Sequence, residues 1–341
     1  MKVGILTGGG DCPGLNPAIR GIVYRGLDFG FELVGIQEGW KGLVKGNYAP
    51  LGLSDVEEII YQGGTMLGSS RTNPFKSDTD LQAVLANIKS AKFDAIIACG
   101  GEDTLGVAAK LFSKHGVPTV GVPKTMDNDL SCTDFTFGFD TAAGVGMEAL
   151  DRLRDTARSH RRVIVLEVMG RHAGWVAWYV GMAGGADWVT LPEEKLDVDA
   201  LCAHLSSIRA RGKKYALIVA SEGTEIPSSD GEAVVDSFGH VNLSNRNVGE
   251  YLATQIEERT GWESRHAVIG HVHRGGAPTL FDRVLGMRVG MKAAELVQSR
   301  DFGQMAALVG TNVVGVDIVK ATSVLKVIPA DLLESIKVTR K

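Results

Sequence analysis

Val117-Pro-Thr-Val-Gly-Val-Pro-Lys-Thr-Met-Asp-Asn-Asp129 is an apolar, partly β-branched run that ends in a turn carrying two carboxylates, an amide and a hydroxyl. A continuously apolar run without alternation is what a parallel strand shows when helices cover both faces of its sheet. Such a strand delivers the residues after it to the carboxyl edge, where open α/β sheets bind ligands. Acids on a solvated surface are usually spread along helices beside lysines. Asp127 and Asp129 instead converge behind one strand, an arrangement associated with active sites.

Working outward, similar runs recur at 3–7, 33–36, 95–99, 163–168, 216–220 and 267–269, each closed by glycine or a polar turn. Helix-length stretches at 80–90, 104–115, 141–160 and 198–211 lie between them. This alternation predicts an α/β fold of two doubly wound, mainly parallel sheets. A first lobe is expected over 1–138 and a second over 139–305, with 306–341 crossing back through a strand-like run at 313–318. The polar segment 230–245 predicts a hairpin or an exposed loop.

Composition narrows the function classes. The chain has 341 residues, 44% hydrophobic and 22% charged, values ordinary for a globular enzyme. A formal net charge of −4 favours neither nucleic acid nor a membrane surface as partner. Cys12, Cys99, Cys132 and Cys202 follow no CxxC or metal-type spacing and read as reduced thiols. Met1 leads directly into strand pattern, and no apolar run approaches the roughly 20 residues of a bilayer span. A soluble, cytoplasmic protein is expected.

Four strand ends carry candidate chemistry. Thr7-Gly-Gly-Gly-Asp-Cys-Pro-Gly-Leu-Asn16 lets backbone approach a ligand closely and leads into a helix start that suits phosphate. Proline replaces the last glycine of GxGxxG there, and GxxxxGK[ST] is absent, so neither nucleotide fingerprint is met. Gly100-Gly-Glu-Asp-Thr-Leu105 places Glu102 and Asp103 where they could help hold Mg²⁺ with phosphate oxygens, or merely complement the helix dipole. In Glu167-Val-Met-Gly-Arg-His-Ala-Gly174, backbone exposed at Gly170 beside Arg171 suits a phosphoryl or sugar contact, and His172 reads as ligand or structural histidine. In Arg265-His-Ala-Val-Ile-Gly-His-Val-His-Arg-Gly-Gly276, an extended backbone would put His271 and His273 on one face and Arg274 on the other. Zinc lacks a third local ligand there, so phosphate is the expected partner.

Two further features are weaker. Ala220-Ser-Glu-Gly223 puts Glu222 at a strand end, as an acceptor for sugar hydroxyls or as a lone surface acid. Arg158-Ser-His-Arg-Arg162 is a solvated helix end unless a phosphate or another subunit faces it. Phosphoryl transfer needs positioning, charge neutralisation and a base for the attacking hydroxyl. Each part has a candidate, which favours a sugar-phosphate kinase over an oxidoreductase.

Together, Gly8-Gly-Gly-Asp-Cys-Pro-Gly-Leu-Asn16, Gly68-Ser-Ser-Arg71, Gly100-Gly-Glu-Asp-Thr104, Pro123–Asp129, Met169-Gly-Arg171 and Gly270-His-Val-His-Arg-Gly-Gly276 resemble the signature set of the 6-phosphofructokinases. The resemblance runs in order over nearly the whole chain and implies two similar lobes with the active site in the cleft between them. It implies that Asp127 takes the proton of the fructose 6-phosphate 1-hydroxyl, and that Thr125 and Asp129 position sugar and metal-bound phosphoryl group. Gly10, Arg71 and Thr104 would meet the donor, and Glu102 would bind Mg²⁺. Met169, Gly170, Arg171 and Glu222 would hold the sugar, and His271 and Arg274 its 6-phosphate. Arg162 and Arg265 would reach a neighbouring active site in a homodimer or homotetramer.

ATP-using relatives carry glycine where Asp103 and Lys124 stand. An acid at 103 adds bulk and like charge where a nucleotide α-phosphate would lie, while Lys124 can grip a free phosphate. The pair resembles the pyrophosphate-dependent members, which implies pyrophosphate as donor. An ATP-dependent enzyme and a non-catalytic sugar-phosphate-binding paralogue are the alternatives.

Overall fold

The computed structural model describes residues 1–227 and 246–340, so the expected hairpin or loop at 230–245 lies outside the described residues. Strands follow the chain as β1 (Lys2–Thr7), β2 (Glu32–Ile36), β3 (Tyr48–Pro50), β4 (Ala95–Gly100), β5 (Thr119–Pro123), β6 (Val163–Val168), β7 (Trp188–Thr190), β8 (Ala216–Ser221), β9 (Ser264–Val268), β10 (Gln304–Val309) and β11 (Asn312–Asp317). Among the described residues they form two sheets, ordered β11-β10-β5-β4-β1-β2-β3 and β7-β8-β6-β9. Only the outer pairs β2–β3 and β10–β11 run antiparallel. The mixed, mainly parallel α/β architecture is the one expected.

The inner strands are buried along their whole length because their side chains have helices on both sides. β4, β5, β6 and β8 contain no exposed residue. Each buried Val, Ile or Leu contributes about 1.5–3 kcal/mol, so these strands make a stiff platform for the turns at their ends. One core cluster runs from Val3 and Val120 in the first sheet through Phe137 and Phe139 to Leu166 and Val219 in the second. The two lobes therefore share packed core. No helix among the described residues is long and apolar enough to cross a membrane.

Three details of the chain path differ from expectation. Helix Leu280–Ser299 packs along helix Leu15–Asp28, and β10 and β11 complete the first sheet. The packing thus carries the chain back to the first lobe at residue 280, before 306. β10 adds to the expected strands: its Met, Ala and Leu are good helix formers, and pairing with β5 and β11 overrides that preference. β9 begins three residues before the expected 267, at an edge whose Arg265 and His266 are exposed and hide the apolar signature.

Candidate active site

A cleft of about 470 Å³ lies where the carboxyl ends of the two sheets face each other. In the first sheet β1 is flanked by β2 and β4, so the chain leaves toward opposite sides and opens a crevice at their ends. The Gly8–Gly10 turn after β1 and the start of helix Glu102–His115 after β4 form that crevice, joined by Gly8 N donating to Cys99 O at 3.0 Å. Arg71, Glu102, Asp103 and Thr104 line this wall of the cleft.

Lys124 follows β5 and is 4% exposed. Its Nζ donates to Gly10 O at 2.5 Å, which places an ammonium directly beneath the glycine turn. Burial draws its pKa below the ordinary lysine value. From the opposite lobe Arg274 crosses the cleft, its Nη1 donating to Asp11 O at 3.0 Å. A Cβ on Gly10 would stand 2.6 Å from that Nη1, so glycine at 10 is what lets the guanidinium approach.

Asp127 faces the cleft in the turn that follows. Its backbone N–H donates to Thr125 Oγ1 at 3.1 Å, while carboxylate Oδ1 is buried without a hydrogen-bond partner among the described residues. Burial, then the neighbouring Asp129 carboxylate, push Asp127 up to about 7, against the pull of Arg274. A carboxyl poised near neutrality on a residue that lines the cleft is suited to taking a proton. Asn128 between the two acids adopts φ 52 and is 1% exposed, its Oδ1 accepting from Thr136 N at 3.1 Å. The sequence marks Asn128 only as the amide of this turn and assigns it no role. Its signal is that asparagine tolerates the left-handed region better than most residues.

A model described as Phosphofructokinase matches residues 2–297. The chain belongs to the phosphofructokinase family. It is similar to the pyrophosphate--fructose 6-phosphate 1-phosphotransferase of Dictyoglomus thermophilum, with 50% identity over 341 residues covering 99% of this chain and 98% of that one. It is also similar to ATP-dependent 6-phosphofructokinase 3 of Streptomyces coelicolor, with 46% identity covering 96% and 97%. The solved phosphofructokinase of Saccharomyces cerevisiae superposes with TM-score 0.79 at 26% identity, covering 99% of this chain and 47% of the yeast chain. This chain thus spans about half the length of that solved relative. Relatives named for different donors differ by only a few per cent in their identity to this chain, so overall likeness does not separate the donors.

The second wall of the phosphofructokinase cleft comes from the ends of β6, β8 and β9. Met169, Arg171, Glu222, His271 and Arg274 all line it, opposite Thr125, Asp127 and Asp129. Gly170 differs from its expected placement. It is buried beneath this wall with φ 147, its carbonyl accepting from Ser221 Oγ at 2.8 Å and its N–H directed to Glu222 Oε1 at 3.4 Å. It therefore shapes the wall and orients Glu222. A Cβ there would meet Ala173 O at 2.9 Å.

The expected extended backbone at 270–274 is instead a 3₁₀ turn, Gly270–Arg274. His271 faces the phosphofructokinase cleft, but His273 turns into the core with Nδ1 2.9 Å from Ala142 O. Burial pulls His273 down to about 4, so it is a neutral packing histidine and shares no face with His271. Arg162 and Arg265 lie at the amino-terminal ends of β6 and β9, the sheet edge away from this cleft, both paired with Glu263 at 2.7 Å. Such exposed pairs contribute about 0–1 kcal/mol and leave the guanidinium groups easily re-partnered.

Glu102 and Asp103 begin a helix at the cleft, and no group of three or more His, Cys, Asp or Glu that could hold a metal occurs among the described residues. That donor set fits Mg²⁺, which takes one or two carboxylates and completes its shell with water and substrate phosphates. It does not fit an all-protein metal cage. The four cysteines are free, and burial pushes Cys12 and Cys99 up to about 12, which removes them as nucleophiles.

Proposed function

We propose that this chain transfers a phosphoryl group from pyrophosphate to the 1-hydroxyl of fructose 6-phosphate, giving fructose 1,6-bisphosphate and phosphate. Asp127 supports this reading most directly, since its near-neutral carboxyl stands between the donor wall and the sugar wall. The hydroxyl oxygen bonds to the transferred phosphorus as its proton passes to the Asp127 carboxylate, and the P–O bond to the departing phosphate breaks. Met169, Arg171 and Glu222 hold the sugar, and His271 and Arg274 its 6-phosphate. Gly10 and Arg71 hold the donor, with Thr104 at the helix start. Glu102, beside Asp103, would hold Mg²⁺, whose charge would offset that of the donor phosphates.

Two residues favour pyrophosphate over ATP. The Lys124 ammonium under the glycine turn is placed to neutralise a bare departing phosphate. Asp103 at the mouth of the same crevice sets a negative charge against a nucleotide α-phosphate. Initial rates with Mg²⁺ and fructose 6-phosphate should be at least about 10-fold higher with pyrophosphate than with ATP. Brisk turnover with ATP and none with pyrophosphate rejects this donor. Phosphoryl transfer out of pyrophosphate releases less free energy than transfer out of ATP, so the reaction should also run backward readily.

The chain is further proposed to act as a homodimer or homotetramer in which Arg162 and Arg265 complete a neighbour's 6-phosphate site. Their position at the sheet edge remote from their own cleft supports this. Mixing inactive Asp127→Asn chains with Arg162→Ala chains should restore sites that combine an intact base with an intact arginine. Activity no greater than the sum of the separate variants contradicts the shared site.

A further inference from the structure

Residues 324–328 lie beyond the stretch matched by the family model, yet they are stitched into the turn that carries Asp127. Lys326 Nζ donates to Asn128 Oδ1 at 2.9 Å, Thr133 O at 2.9 Å and Asp134 O at 2.8 Å, which uses all three ammonium protons. Its backbone N–H donates to Asp129 O at 2.8 Å. Leu325 bridges to Leu130, and Ser131 Oγ donates to Val324 O at 2.6 Å.

The same segment grips the opposite lobe. Trp175 Nε1 donates to Lys326 O at 2.8 Å, and the ammonium lies 5.4 Å from the indole centre. Ile328 N donates to Glu193 Oε1, which also accepts from Gly174 N at 2.9 Å. Gly174 and Trp175 follow directly on the Met169–Arg171 wall. One short segment therefore ties the proton-accepting turn to the sugar-holding wall.

We propose that Lys326 is a positioning residue: its ammonium locks Asn128 in the left-handed conformation and so aims Asp127, while its backbone registers that aim against the sugar wall. A non-glycine residue at positive φ persists only when its surroundings over-determine it, and Lys326 with Thr136 supplies that constraint at Asn128. The inference rests on reading Asp127 as the base.

Lys326→Met keeps the aliphatic stem over Trp175 and removes the ammonium. Turnover should fall about 10- to 100-fold, as expected when a reacting group is misplaced by about 1 Å. KM for pyrophosphate should stay within about 3-fold, because the segment's hydrogen bonds run to Asn128, Asp129, Ser131, Thr133, Asp134, Trp175 and Glu193. Amide hydrogen exchange should quicken over 127–136 and stay unchanged in β4 and β6. Lys326→Arg, which can donate to the same acceptors, should recover most of the turnover. Trp175→Phe, which removes a single donor, should give a smaller fall and faster exchange over 127–136, and it decides the matter if Lys326→Met does not fold.

Wild-type turnover and wild-type exchange over 127–136 in the variant that folds overturn the proposal. So does a loss of protection spread evenly over the chain. Wild-type protein inactive with every donor would remove the base reading, while the exchange comparison still decides whether Lys326 holds the turn.

Discussion

Asp127→Asn lowers turnover by about 10²- to 10⁴-fold while KM values stay within about 3-fold. The amide keeps the volume and polarity of the side chain but cannot take a proton. Asp127 stands near 7, so kcat/KM for phosphorylation of the sugar should rise with pH through about 7, as the carboxyl ionises. The reverse reaction needs the protonated form and should fall over the same range. Near-normal turnover in the amide variant would remove Asp127 from the role.

The same carboxyl affects stability in a way that separates lost chemistry from lost fold. Its folded-state pKa lies above the ordinary aspartate value of about 3.9, so the folded protein holds the proton more tightly than the unfolded chain. Its favourable contribution is fully present below the unfolded value and is lost as pH rises through about 7. Asp127→Asn should therefore melt at or above the wild-type temperature at pH 8.5, with a smaller difference near pH 5. A variant that is inactive and also less stable at pH 8.5 would point to a collapsed site instead.

Lys124→Met should lower turnover with pyrophosphate by about 10²- to 10³-fold, the cost typical of removing one preorganised electrostatic contact to developing charge. The ammonium is buried, and its proton donor engages Gly10 O in the turn that would cradle the donor, so no solvent cation replaces it. Asp103→Gly should act in the opposite sense toward nucleotides, raising kcat/KM for ATP by about 10-fold or more as like charge and bulk leave the crevice. If Lys124→Met loses activity equally with both donors, the lysine serves the shared phosphoryl group and has no part in selecting the donor. If Asp103→Gly gains nothing with ATP, the carboxylate is no gate.

Much of this site could be read from the strand ends. The turns after β1, β4 and β5 carry polar residues straight after buried apolar runs, and the structure brings Gly10, Glu102, Asp103, Lys124 and Asp127 to one crevice. What escaped reading depended on partners distant in sequence. Lys326 meets Asn128 across nearly two hundred residues, and nothing near Lys326 in sequence announces an ammonium needed there. His273 looked like a companion to His271 because both lie in a glycine-bounded polar stretch. A 3₁₀ turn rotates one of them into the core. Gly170 was legible as special, but its role came out as support beneath the wall, since a buried carbonyl there must find donors and takes them from Ser221 and Gly223.

The pairing of β5 with β10 has a consequence for how the protein is made. The strand that presents Lys124 and Asp127 has β4 on one flank from early in synthesis, but its other flank is closed by residues 304–309. On a translating ribosome the first lobe thus waits, with a raw edge of unpaired amides and carbonyls, until β10 emerges after the whole second sheet. Such edges recruit foreign strands, so the nascent polypeptide is most exposed to misassembly beside the turn that carries Asp127, and the arrival of β10 caps that edge.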